Sequence, residues 1–110
     1  DACGGVLTEA SWAEYRDGIA ASGRKMVLSI CAEGLVPVWT WGGRVGHQWR
    51  VTGDIENWWG AVLANYDIAQ AVPRLASYAG PGGWNDLDML EAGNQPANIS
   101  WGGPGLSAAE

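Results

Sequence analysis

The sequence predicts an α/β fold built on a parallel sheet. Two observations carry this: helical periodicity over residues 8–22 and again over 55–72, and short apolar runs bounded by glycine-rich turns between and after them. Strands alternating with helices at this spacing make βαβ units, whose sheet is parallel. The size agrees, because 110 residues with 47% hydrophobic side chains fit one small domain and argue against a disordered tail.

The first helix is expected over Thr8–Ser22, with Trp12, Tyr15 and Ile19 on one face and Glu14, Arg16 and Asp17 elsewhere. Thr8 is suited to the N-cap, and Gly23 stands where a left-handed residue ends a helix. Lys25 to Cys31 is a nearly continuous apolar run, the pattern of a parallel strand buried on both faces. Ala32 to Gly46 is rich in Gly, Pro and Trp and reads as a long loop with at most a short helix. A second strand is expected over His47–Thr52 between two glycines. Ile55, Trp58, Trp59, Val62, Leu63, Tyr66 and Ala69 then form a broad apolar stripe on a second helix. That helix should end near Val72, because Pro73 disfavours helix in the residue before it. A turn cluster over residues 78–83 leads into a third strand, Trp84–Leu90, and residues 91–110 read as loop.

Three strands and two helices neither close a barrel nor complete a doubly wound sheet. The chain also opens at Asp1 rather than at a Met. It is therefore expected to be a single partial domain, 1–110, cut from a larger fold.

Twelve acidic against six basic residues give a formal charge of -6, which argues against nucleic acid as a partner, since phosphate neutralisation needs clustered Lys and Arg. No apolar run approaches the roughly 20 residues of a membrane span, and no signal-type segment is present, so no membrane partner is expected. His47 has no His or Cys near it in sequence, so no metal is expected. Cys3 and Cys31 allow two free thiols or one disulfide, the latter implying an oxidising compartment.

Acidic residues gather at the ends of the predicted strands: Asp1, Asp54, Asp86 and Asp88. In (β/α) barrels the residues after each strand's C-terminal end face the active site. Two carboxylates converging there suit glycoside hydrolysis, one attacking or directing water at the anomeric carbon and one protonating the leaving oxygen. Asp54 reads equally well as the N-cap of a helix starting at Ile55. Taken alone, Asp1 reads as a frayed terminus. Arg50, four residues before Asp54, can hold a sugar hydroxyl bidentately or simply form a structural ion pair. Trp39, Trp41, Trp49 and Trp84 lie near glycine-rich loops and acids, as a saccharide pocket wants, although about half of them are expected in the core with Trp12, Trp58 and Trp59. Asn98-Ile99-Ser100 is a glycosylation triplet of the kind that arises often by chance.

Trp49-Arg50-Val51-Thr52-Gly53-Asp54-Ile55 and Tyr78-Ala79-Gly80-Pro81-Gly82-Gly83-Trp84-Asn85-Asp86-Leu87-Asp88-Met89-Leu90 closely resemble two stretches of the α-galactosidases (melibiases) of glycoside hydrolase family 27. Asp1-Ala2-Cys3 resembles the family's Asp-x-Cys at the end of its fourth strand, and Gly23 to Cys31 its fifth strand. The likeness runs over essentially the whole chain. It implies an internal segment of a (β/α)8 TIM barrel, from the end of strand four to strand seven and the loop beyond. It further implies hydrolysis of terminal α-linked galactose with retention, Asp1 as the nucleophile and Asp54 as the acid/base. Arg50, Cys31, Glu33, Asp88 and Met89 would meet or line the sugar, and Cys3 would pair with Cys31. The implied partner is a galactose-containing oligosaccharide or glycoconjugate, with no cofactor, in a secreted, periplasmic or lysosomal setting. Such a segment would hold about half the site, be inactive alone and not fold stably by itself.

Two positions depart from the family. Where members show Cys-Glu-Trp-Gly, this chain has Cys31-Ala32-Glu33-Gly34; alternate residues of an extended chain face opposite ways, so Glu33 need not point where the family's Glu does. That change suits a sister specificity, α-N-acetylgalactosaminidase or β-L-arabinopyranosidase. Leu87 replaces the usual Pro between the two aspartates. From other classes, the tryptophans alone would suit a non-catalytic carbohydrate-binding protein, and a degenerate inactive homologue is a further alternative.

Overall fold

The computed structural model describes residues 8–89. Asp1, Cys3, the glycosylation triplet and the loop from Glu91 onward lie outside the described residues. No helix among them is long and apolar enough to cross a membrane.

Helix α1, Glu9–Ala21, forms as its caps dictate: the Thr8 hydroxyl accepts from the Ser11 N–H at 3.3 Å, and Gly23 follows with φ +67. Its expected apolar face is narrower than the pattern suggests. Trp12 is buried, whereas Tyr15 stays 63% exposed and touches only the edge of the layer through a tilted contact with the Trp12 ring. Arg44 reaches back across the fold to grip Glu9 with two 2.8 Å hydrogen bonds, fastening the start of α1.

Strand β1 is Ser29–Ile30, β2 is Gln48–Arg50 and β3 is Trp84–Asp86. They pair in the order β1-β2-β3, both pairs parallel, as expected. The first strand is much shorter than its apolar run. Before Ser29 the Leu28 N–H donates to the His47 ring Nδ1 at 3.1 Å, so a side chain takes the place of a ladder acceptor. Burial on both faces also fails there: Ile30 is fully buried, but Met26 and Val27 are exposed. The 31–47 connection carries only two 3-10 turns, Val38–Thr40 and Gly42–Arg44.

Helix α2, Trp59–Ala71, starts four residues later than its apolar stripe suggests and ends at Val72 before Pro73. Residues 55–58 stay outside the helix, and the Trp58 N–H, which a helix from Ile55 would direct to the Asp54 carbonyl, instead closes a tight turn onto the Glu56 carbonyl at 2.7 Å. Trp58, not Asp54, is the N-cap residue, which disposes of the capping role for Asp54. The buried face of α2 is small, Ala61, Asn65 and Ala69, and Asn65 donates to the Gly53 and Leu87 carbonyls in the segments that follow β2 and β3. Trp58 and Trp59, expected in the core, are 41% and 43% exposed on its other side.

The core joins Trp12, Ile30, Val38, Val45, Val51 and Leu75 around Trp49. The Trp49 indole lies against Gly42 and Gly83, where an added Cβ would stand 2.8 and 2.7 Å from ring atoms. Its Nε1 donates to Asn85 at 2.7 Å, and Asn85 donates onward to the Leu75 carbonyl. Because the three strands run parallel, their C-terminal ends open at one edge of the sheet.

Candidate active site

Alternation along β2 sends Trp49 into the core and places Gln48 and Arg50 together on the other face. Register sets Arg50 opposite Asp86 on β3. The Arg50 side chain is only 13% exposed and serves several acceptors at once. Its Nη1 donates to Asp54 Oδ1 at 3.1 Å and to the Gly53 carbonyl at 3.2 Å and forms an ion pair with Asp88 Oδ2 at 2.6 Å, while Nε lies 3.9 Å from Asp86 Oδ2. Of the three carboxylates Asp88 is 7% exposed, Asp86 23% and Asp54 70%. Asp54 is thus the one that projects from the sheet edge into solvent. The ion pair expected as an alternative for Arg50 and Asp54 is present, and it is part of this larger cluster.

Asp88 is anchored on both oxygens. Oδ2 pairs with the Arg50 guanidinium and accepts from the Ile55 N–H at 2.9 Å, and Oδ1 accepts from the Met89 N–H at 2.8 Å. Its backbone is left-handed, φ +77, a conformation that costs a non-glycine residue energy and persists only where the surroundings fix it. Asp86 supplies part of that fixing, accepting from the Asp88 N–H at 2.9 Å and from Gln48 Nε2 at 2.8 Å. The expected acids Asp54 and Asp88 are therefore brought together, with Met89 exposed beside them. Gln48 was not singled out by the sequence; its signal is its spacing of two from Arg50 on a strand, legible only once the register is known.

At the β1 end, Cys31 is half-buried and forms no disulfide among the described residues, and its expected partner Cys3 lies outside them. Ala32 is buried, and Glu33 and Gly34 both adopt positive φ, +51 and +67, in a turn closed by the Leu35 N–H to the Ala32 carbonyl. This turn lies on the approach to Asp54: a Cβ on Gly34 would sit 2.9 Å from the Thr52 carbonyl carbon. Glu33 takes part in none of the ion pairs among the described residues.

Among the described residues the tryptophans do not assemble as a stacking platform. Trp49 holds the core, Trp39 and Trp41 pack against it, and exposed Trp84 begins β3 rather than following it. Among the described residues no group of three or more His, Cys, Asp or Glu is placed to hold a metal ion.

The chain has clear relatives. An "Alpha-galactosidase A" of Cellvibrio japonicus is 39% identical over 97 residues, covering 81% of this chain and 24% of that protein. An "Alpha-galactosidase" of Oryza sativa is 47% identical over 72 residues, 66% of this chain and 16% of its own length. A crystal structure of a candidate alpha-galactosidase/melibiase from Bacteroides fragilis superposes with a TM-score of 0.74 at 32% identity, over 96% of this chain and 24% of that one. The chain thus spans less than a quarter of the length of these proteins. The family model described as Alpha galactosidase A matches residues 7–101, taking in Arg50, Asp54, Asp86 and Asp88 alike, and the chain belongs to that family.

Proposed function

We propose that this chain is the acid/base side of a retaining α-galactosidase, a segment of a (β/α)8 barrel from the end of strand four to strand seven. The observation that carries the reading is the contrast within the Arg50 cluster: two carboxylates are largely withdrawn from solvent, and Asp54 alone is 70% exposed at the C-terminal edge of a parallel sheet. A general acid must reach a substrate oxygen. In the first step the Asp1 carboxylate forms a bond to the anomeric carbon, the glycosidic C–O bond breaks, and the leaving oxygen takes the Asp54 proton. In the second, Asp54 takes a proton from water as that water attacks the anomeric carbon and releases Asp1. Two inversions give net retention, with the two carboxyls about 5–5.5 Å apart. Arg50 holds a sugar hydroxyl, Met89 and the Cys31–Glu33 segment line the pocket, and Asp88 is both wall and anchor. Galactosides are the substrates, as the names of the relatives suggest. Pairing of Cys3 with Cys31 and a secreted, periplasmic or lysosomal setting belong to the same reading.

The test compares aryl α-galactoside, α-N-acetylgalactosaminide and β-L-arabinopyranoside as substrates of the full-length protein, with Asp54→Asn as control. Turnover of the galactoside, lost in the variant, is expected. Turnover of one of the other two sugars instead would replace the galactose assignment and keep the acid/base one. Sugar binding unchanged in Asp54→Asn, with no turnover in either protein, would return a binding protein.

A further inference from the structure

We propose that Asp86 is a positioning residue for the acid/base group, acting through Asp88 and Arg50 without itself touching the sugar. The proposal rests on the reading of Asp54 as the acid/base. Asp54 is mostly solvent-exposed, and its carboxylate is held among the described residues by Arg50 alone. Its aim is therefore set by the Arg50 guanidinium and by the backbone on either side of it. Both come under Asp88, whose Oδ2 forms a 2.6 Å ion pair with Nη1 of Arg50, before Asp54 in sequence, and accepts from the Ile55 N–H directly after it.

Asp88 is in turn set by Asp86. The Asp88 N–H donates to Asp86 Oδ1 at 2.9 Å, a local side-chain-to-backbone turn of the kind aspartate favours. That contact holds Asp88 at φ +77 and so directs its carboxylate to the two flanks of Asp54. The second oxygen of Asp86 is fixed by Gln48 Nε2 at 2.8 Å and lies 3.9 Å from Arg50 Nε, a buried nitrogen with no hydrogen bond of its own. The order of control runs from Gln48 and Asp86 on adjacent strands, through Asp88 and Arg50, to Asp54. Leu87 between the two aspartates leaves the turn to be held by this hydrogen bond.

The chemistry supplies a readout that loss of folding does not mimic. An unactivated glycoside needs the Asp54 proton as its C–O bond breaks, because the departing alkoxide is strongly basic. A 2,4-dinitrophenolate leaves with the bonding electron pair and takes no proton. A misaimed Asp54 therefore slows the first substrate selectively, in kcat/KM, which reports the first step.

In the full-length protein, Asp86→Ala is expected to lower kcat/KM about 100-fold on an unactivated α-galactoside and about 3-fold or less on the dinitrophenyl α-galactoside, a gap the size of a typical general-acid contribution. Asp86→Asn keeps an acceptor for the Asp88 N–H, and Gln48 can turn its amide to meet it, so this variant should recover at least about ten-fold of the loss. Should Asp86→Ala fail to fold, Gln48→Ala is measured in its place, with about a ten-fold loss expected on the unactivated substrate only. Equal losses on both substrates, or no loss on either, would overturn the proposal. Asp54→Asn is run beside them: if it lacks the leaving-group pattern, the acid/base reading itself falls, whereas the pattern in Asp54→Asn without it in the Asp86 variants sinks the positioning role alone.

Discussion

Arg50 sits closer to Asp88 than to the carboxylate it was expected to serve: 2.6 Å from Asp88 Oδ2 against 3.1 Å from Asp54 Oδ1. The difference matches burial, since Asp88 is 7% exposed and Asp54 70%. A buried carboxylate cannot be left without its counter-charge, whereas an exposed one is solvated by water.

Stability should divide along that line. Arg50→Ala strands the Asp88 carboxylate and should cost about 3 kcal/mol, the scale for breaking a buried pair by removing one partner. Asp54→Ala removes only an exposed partner and should cost under about 1 kcal/mol while abolishing turnover. Denaturant midpoints of the full-length protein and its two variants decide this. Equal destabilisation would mean that Asp54 is held as a structural group, contrary to its proposed role.

The Trp49 indole makes a second, independent prediction. Gly42 and Gly83 approach the ring so closely that a methyl group at either would overlap it, whereas Gly80 has nothing within 4 Å of where its Cβ would be. Overpacking of this kind costs typically about 1–3 kcal/mol. Gly42→Ala and Gly83→Ala should each lower the unfolding midpoint and red-shift or broaden the tryptophan emission, because a displaced core indole meets more water. Gly80→Ala serves as the neutral control. Neutral behaviour at all three positions would show that the indole can move aside and that the ring does not lock the sheet to the 42–44 turn.

What the sequence showed, and what it concealed, follows from the range of the forces involved. Caps are local, so Thr8, Gly23 and the stop before Pro73 were legible from single residues and their neighbours. The Arg50–Asp54 contact spans one strand exit and was legible from its spacing, and the resemblance supplied Asp88. The Gln48–Asp86 contact depends on the β2–β3 register, which no local pattern encodes. Apolar periodicity misled where it could not say what covers a face. Met26, Val27, Trp58 and Trp59 read as core and are exposed, and the residues that α2 does bury are Ala61, Asn65 and Ala69. The start of α2 was missed for a different reason. Residues 55–58 are helix-compatible, but the Trp58 N–H turns back onto the Glu56 carbonyl instead of the carbonyl a helix would offer it.

The Glu9–Arg44 clamp predicts a pH dependence whose sign is fixed. The hydrogen bonds from Arg44 hold the Glu9 carboxyl below its usual range. A group whose folded-state pKa is depressed stabilises the fold above its unfolded value and loses that contribution as pH falls through the folded one. The clamp should therefore be fully present at neutral pH and fade as pH drops below the ordinary value of 4.5. The difference in unfolding temperature between the full-length protein and Glu9→Gln should be positive at pH 7, shrink in high salt and vanish in acid. A difference that grows toward low pH would contradict the assignment of this contact as an ion pair.

The exposed apolar side chains predict how the 110-residue chain behaves when made alone. Met26, Val27, Leu35 and Met89 are each more than half exposed, and Leu63, Tyr66 and Ile68 line the outer side of α2. The sheet that should organise them consists of strands of two and three residues, too short to hold a fold without a covered face. The separate chain should bind a hydrophobic dye, lack sharp near-ultraviolet dichroism and unfold without a cooperative step, the behaviour of a compact but unfixed state. The same residues within the full-length protein should unfold cooperatively and leave the dye unbound. A sharp calorimetric transition in the chain alone would show that Trp49, Ile30 and their neighbours form a self-sufficient core, and that the exposed face of α2 needs no cover.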